Sequence, residues 1–114
     1  MLIWINKMQI RFDERGCKGF FKKYNKQIPL IKELIEKAII KEIATGMSKV
    51  KLASRKRING QKIYEFRLNL STLGSARIAF SIFDDQAIVY FISKDIQKSS
   101  FSKEFEKIIN KKKG

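Results

Sequence analysis

The chain has 114 residues, 44% of them hydrophobic, which supplies one modest core and leaves no room for a second domain. Its 25 Lys and Arg against 11 Asp and Glu give a formal charge of +14, far more than solubility requires, so a polyanionic partner is expected, with RNA the first candidate. Histidine is absent, which excludes Cys/His zinc sites, Ser-His and Cys-His nucleophile pairs and imidazole acid–base catalysis, and any chemistry falls to Lys, Arg, Glu, Asp or Tyr.

No apolar run approaches the roughly 20 residues of a membrane span, and the opening Met1-Leu2-Ile3-Trp4-Ile5 is short and has no cleavage pattern after it. A cytoplasmic protein with no membrane partner is expected. The lone Cys17 agrees with a reducing compartment and lies on an apolar helical face, where a packed thiol is the expectation.

In chain order, Met8, Ile10 and Phe12 alternate with polar residues at the period of a half-buried strand, which Ile3 and Ile5 could extend backwards. Asp13 is placed to cap a helix carrying Cys17, Phe20, Phe21 and Tyr24, in which Gly16 and Gly19 lower the intrinsic propensity. Pro29 opens a second helix with Ile31, Leu34, Ile35, Ala38, Ile39 and Ile43 on one stripe, and Gly46 is placed to end it. The period then changes. Residues 49–58 and 62–70 read as two strands around Asn59-Gly60, whose residues both tolerate positive φ.

Within the second of these strands Tyr64, Phe66 and Leu68 oppose Ile63, Glu65 and Arg67, so one face is apolar and the other charged. Residues 76–83 and 87–93 form a further pair of strands across Asp84-Asp85-Gln86, with Phe66, Phe80, Phe83 and Phe91 assigned to the core. After the polar run 94–100, Ser99 or Ser100 can cap a last helix bearing Phe101, Phe105, Ile108 and Ile109. The order is β-α-α-β-β-β-β-α: a single α+β domain over residues 1–114, with an antiparallel-dominated sheet, two helices on one face and a C-terminal helix.

Basic residues crowd the first hairpin at Lys49, Lys51, Arg55, Lys56 and Arg57, and recur at Arg67, Arg77, Lys94 and Lys98, which a twisted sheet could gather on one concave face. Arg77 opposes Ile78 and Phe80. A strand arginine among apolar neighbours is costly unless paired or used, so an ion pair of Glu65 with Arg67 or Arg77 stands beside a functional role.

The opening Phe12-Asp13-Glu14-Arg15, the strand Tyr64-Glu65-Phe66-Arg67-Leu68, the segment Gly74-Ser75-Ala76-Arg77-Ile78-Ala79-Phe80 and the segment Lys94-Asp95-Ile96-Gln97-Lys98-Ser99, taken in this order, resemble the RelE/ParE superfamily of type II toxins, the HigB-like branch most closely. The likeness spans residues 9–110. It implies a RelE-like fold and a toxin that enters the ribosomal A site and cleaves mRNA without a metal or cofactor, with a cognate antitoxin protein as second partner. RNA carries its own 2′-OH nucleophile. The protein need only orient it, take its proton, neutralise the phosphorane and protonate the leaving oxygen.

On the resemblance, Arg67 and Arg77 would stabilise the phosphorane, Glu65 would act as base or orient the arginines, and Lys94 and Lys98 would bind phosphate or supply the proton. Lys49, Lys51, Arg55, Lys56, Arg57 and Gln97 would bind RNA. Two positions depart from the pattern: Asp95 stands where the branch commonly has a second Lys, and Phe101 where the RelE branch has a catalytic Tyr, which speaks against a tyrosine-dependent step. A ParE-like toxin that poisons DNA gyrase and a non-catalytic RNA- or ribosome-binding module are the alternatives.

Overall fold

A computed structural model of the chain describes residues 8–94 and 97–113, without the side chains of Lys98 and residues 110–113. The expectations placed on Ile3, Ile5 and Asp95 lie outside that description. The elements are β1 (Gln9–Phe12), α1 (Glu14–Lys23), α2 (Ile28–Ala44), β2 (Lys51–Leu52), β3 (Tyr64–Asn69), β4 (Ser75–Phe83), β5 (Gln86–Ser93) and α3 (Lys98–Lys113). They form an α+β fold around one five-stranded sheet of order β1-β5-β4-β3-β2, antiparallel throughout except for the parallel β1–β5 pair.

Strand parity decides what each face buries. Phe66, Ile78, Phe80 and Val89 point to the side where α1 and α2 bring Cys17, Phe20, Ile31, Ile35 and Ile39. Ile63, Ala79 and Phe91 point the other way and meet Phe101, Phe105 and Ile109 of α3. The expected stripe on α2 is present, with Ile31, Ile35 and Ile39 buried and Leu34, Ala38 and Ile43 packed at its margin. One side of the sheet is therefore covered by two helices and the other by one.

A bulge in β5 reconciles its sequence with both cores. Ala79 pairs with Phe91 and Phe80 with Val89, so Tyr90 is the extra residue on β5. The extra residue shifts the alternation by one, which sends Tyr90 and Phe91 toward α3 and returns Ile92 to the α1–α2 side. Both faces are served.

Three expectations are corrected. The hairpin around Asn59-Gly60 exists, with φ of 52° and 79° and both Ile58–Gln61 backbone bonds, but the ladder is interrupted: β2 is only two residues long and Ser54 to Arg57 loop away from β3. A loop carrying Arg55, Lys56 and Arg57 keeps like charges out of a paired strand. Phe83 is 59% exposed and not core, because it is out of phase with Ile78, Phe80 and Ile82 and lies beyond the reach of α3. Helix α3 starts at Lys98, ahead of Ser99 and Ser100, with the Phe101 N–H already bonded to the Gln97 carbonyl at 3.0 Å.

The first helix is set by two residues. Asp13 caps it, its carboxylate accepting the Gly16 N–H at 3.1 Å. Gly16 lets it approach β5, since a Cβ built there would lie 1.6 Å from the Tyr90 carbonyl oxygen. Cys17 follows in the same contact, buried, its Sγ donating to the Val89 carbonyl at 3.4 Å. Desolvation, helped by the neighbouring Asp13 carboxylate, pushes this thiol up to about 12, so it is held protonated as a packed group. Gly19 is different, with open space where its Cβ would be. Gly16→Ala is therefore expected to destabilise the fold by about 2–3 kcal/mol despite better helix propensity, whereas Gly19→Ala should stabilise it by about 0.5–1 kcal/mol; urea unfolding of the two variants checks the opposite signs.

Candidate nucleic-acid interface

The residues singled out on β3 and β4 are brought together in two rows on the α3 side of the sheet. In the first row Lys51, Glu65, Ala79 and Phe91 are successive register partners, and in the next Arg67, Arg77 and Ser93 are. Each row crosses the strands at right angles, so the two arginines are direct cross-strand neighbours. Like charges in such positions repel.

Glu65 relieves that repulsion. Its side chain is 1% exposed and forms an ion pair with the Nη1 of Arg77, itself 18% exposed. Of the two ion pairs the sequence allows, the one with Arg77 is formed. Arg67 remains exposed, and among the described residues no carboxylate or hydrogen-bond acceptor engages its guanidinium. The two arginines thus differ: one is half sunk and neutralised, the other presents a full charge to solvent.

The position of α3 limits how much of the charged face is open. Its Phe101, Phe105 and Ile109 lie over Ile63, Ala79 and Phe91, covering the middle of the face and sealing Glu65 from water. Phe101 is 0% exposed, packed 5.2 Å from the Phe91 ring, so this position serves the core. What stays open is the end of the face where β3 gives way to β4 and β5 terminates.

Lys94 lies at that end. It follows β5 directly, is exposed, and its ammonium donates to the Leu73 carbonyl in the β3–β4 turn. Gly74 has φ of 83°, and a Cβ there would come within 3.3 Å of the Lys94 Nζ, so glycine serves both the turn and the lysine. Gln97 is exposed just before α3, and Lys98 is the first residue of that helix.

The hairpin cations are exposed but do not join one cluster. Lys51 shares the row of Glu65, and the Lys49 N–H donates to the buried Glu42 carboxylate at 3.3 Å. Lys56 pairs with Glu106 of α3 at 3.3 Å, Ser54 donates to the same carboxylate at 2.6 Å, and Arg57 donates to the Gly60 carbonyl at 3.2 Å. The loop is thereby tied to α3. Arg55 is exposed on the same loop.

Sequence reasoning missed a concavity on this face, formed by Ser81, Phe83, Gln86, Ile88 and Tyr90 with Asn59 and Gln61 of the hairpin turn. Ser81 and Phe83 have the parity of Arg77, a signal that was present in the strand. Among the described residues no group of three His, Cys, Asp or Glu could hold a metal ion, and no helix is long and apolar enough to cross a membrane. Comparison with models of protein families, with curated proteins and with solved structures returns no match.

Because Arg77 neutralises a sealed carboxylate, Arg77→Ala should strand Glu65 and destabilise the protein by about 3–5 kcal/mol. Thermal melting of that variant beside Arg67→Ala, expected to melt like the wild type, measures the difference between the two positions.

Proposed function

We propose that the protein is a RelE-like toxin of the HigB-like branch, a ribosome-dependent, metal-free mRNA endoribonuclease. The reading rests on the resemblance of the four sequence segments, and the observation that carries it is the cross-strand row of Arg67 and Arg77 at the open end of the sheet, beside Lys94. RNA cleavage by its own 2′-OH asks for little beyond such a row. Arg67 offers a planar fork of donors in water-accessible space, suited to the non-bridging oxygens of a phosphorane. Arg77, fixed by Glu65, sets the register of the row and keeps the net charge there near that of one guanidinium, which lowers the cost of holding Arg67 empty. In this role Glu65 orients an arginine, and burial behind α3 removes it from the part of base. Lys94 and Lys98 are the candidates for phosphate binding and leaving-group protonation, and Gln97 with the hairpin cations Lys49, Lys51, Arg55, Lys56 and Arg57 would hold the RNA chain or ribosome. An antitoxin would be the protein partner.

A second reading, a non-catalytic RNA- or ribosome-binding module, is favoured by the burial of Glu65, whose carboxylate is taken up by Arg77, and of Phe101, whose ring is packed in the core. Both readings require polyanion binding. Neutralising about six phosphates makes affinity fall by roughly 10³ between 50 and 200 mM salt.

For the nuclease, Arg67→Ala should leave melting unchanged while ribosome-dependent mRNA cleavage drops by about 10²–10³, and Arg67→Lys should restore little of it. Primer-extension mapping on translating ribosomes checks this. Salt-sensitive ribosome binding by the wild type with no cleavage of any message would decide for the module.

A further inference from the structure

Strand β5 outruns its neighbour: β1 pairs with it only as far as Val89, and the residues from there to Ser93 are flanked by α1 instead of a strand. Helix and strand meet at Gly16 and Tyr90 and then part, which opens a cleft of about 300 Å³ with Glu104 of α3 on its third side. Gly19, Phe20 and Lys23 of α1 form one wall, and the end of β5 with Ser93 and Lys94 forms the other. Ser93 is also the third member of the arginine row, so the cleft continues the open end of the charged face around the edge of the sheet.

Gly19 is the residue of this wall that the fold does not require. It sits inside a helix, where glycine lowers stability relative to alanine, and no described atom lies within 4 Å of where its Cβ would be. Gly16 has its reason in the Tyr90 carbonyl; Gly19 has none within the described chain, and its bare backbone faces the cleft. Glycine at such a place lets a ligand lie directly on the helix.

Two ammonium groups flank that surface. Lys23, one turn beyond Gly19 on the same helical face, holds its Nζ 5.6 Å from the centre of the Tyr24 ring, and Lys94 is held by the Leu73 carbonyl. Both anchors are uncharged, so each lysine keeps its charge for an anion. Glu104, exposed on α3, adds an acceptor to the same cleft.

From this set we infer that the cleft holds one nucleotide of a single-stranded RNA, its phosphate between Lys23 and Lys94, its sugar over Gly19 and its 2′-hydroxyl donating to Glu104. Lysines are point charges suited to a phosphate, while the 2′-hydroxyl is the donor that distinguishes RNA from DNA. A bare phosphate would leave Glu104 as a repulsion. Two strand spacings, about 10 Å, separate Arg67 from Ser93 along the row. The phosphate held here and one at Arg67 therefore belong to different nucleotides of one strand.

The inference rests on the RNA-binding part of the proposed function and not on cleavage. Fluorescence anisotropy with a short labelled RNA and the DNA of the same sequence tests it on the wild type, Gly19→Gln, Lys23→Gln, Glu104→Ala, Arg67→Ala and, as a control for net charge, the exposed α2 variant Lys41→Gln. Gly19→Gln changes no charge and favours the helix, so it should melt no lower than the wild type while RNA affinity falls about 10-fold. Lys23→Gln should weaken RNA binding and reduce the slope of log affinity against log salt by about 1, an effect Lys41→Gln should not share. The wild type should prefer RNA over DNA by about 10-fold, the worth of one hydrogen bond to a charged group, and Glu104→Ala should abolish that preference. Arg67→Ala should weaken RNA and DNA alike. Wild-type RNA affinity in folded Gly19→Gln, or a Lys23→Gln no different from Lys41→Gln, would overturn the cleft site, and a continued effect of Arg67→Ala would leave RNA binding at the row standing. Failure of the wild type to bind RNA would overturn both. A nucleoside monophosphate or an oligoglutamate bound as tightly as the RNA, with the same dependence on Gly19, would overturn an RNA strand as the occupant.

Discussion

The buried ion pair between Glu65 and Arg77 is the interaction on which this architecture turns. A carboxylate at 1% exposure is costly without a partner, and the partner comes from the next strand, because α3 closes the space above it. Arg77 fills that requirement and in doing so becomes tolerable opposite Arg67, its register partner. The sheet can then hold two guanidiniums side by side while presenting the charge of one. Sealing by α3 and exposure of Arg67 are two results of a single pairing.

The same economy governs the packing. A sheet with helices on both sides must alternate two apolar faces in every central strand, and β5 does so only by inserting Tyr90 as a bulge. The carbonyl of that extra residue is the atom against which Gly16 sits, so the bulge and the glycine of α1 belong to one contact. Asp13 caps α1 and its backbone N–H bonds the Val89 carbonyl at 2.8 Å, which joins the start of the helix to the same stretch of β5. The described core rests on this junction as much as on its aliphatic stripes.

Much of this was legible in the sequence because it is local. The cap at Asp13, the stripe on α2 and the Asn59-Gly60 turn each need only a few adjacent residues, and each is present. The parity that put Glu65, Arg67 and Arg77 on one side was also legible, as was the resulting choice between ion pair and free arginine. What alternation could not say is whether the polar side of a strand meets water, since that depends on where a helix thirty residues later comes to lie. Ile63, with the parity of Glu65, was the hint that this side is buried at one end. Phe83 was misread for the converse reason: aromatic identity outweighed its phase. Gly16 was read as a weak point of a helix because close approach to Tyr90 is a tertiary fact.

The division of labour between the two arginines is measured most directly by a double-mutant cycle on their buried partner. Urea unfolding of Glu65→Leu, Arg77→Met and the double variant gives the coupling energy. The account predicts that each single change is strongly destabilising, that the double variant is more stable than either with a coupling of about 2–3 kcal/mol, and that it binds RNA as the wild type does through Arg67. Additive losses in the double variant, or loss of RNA binding in a folded one, would contradict it.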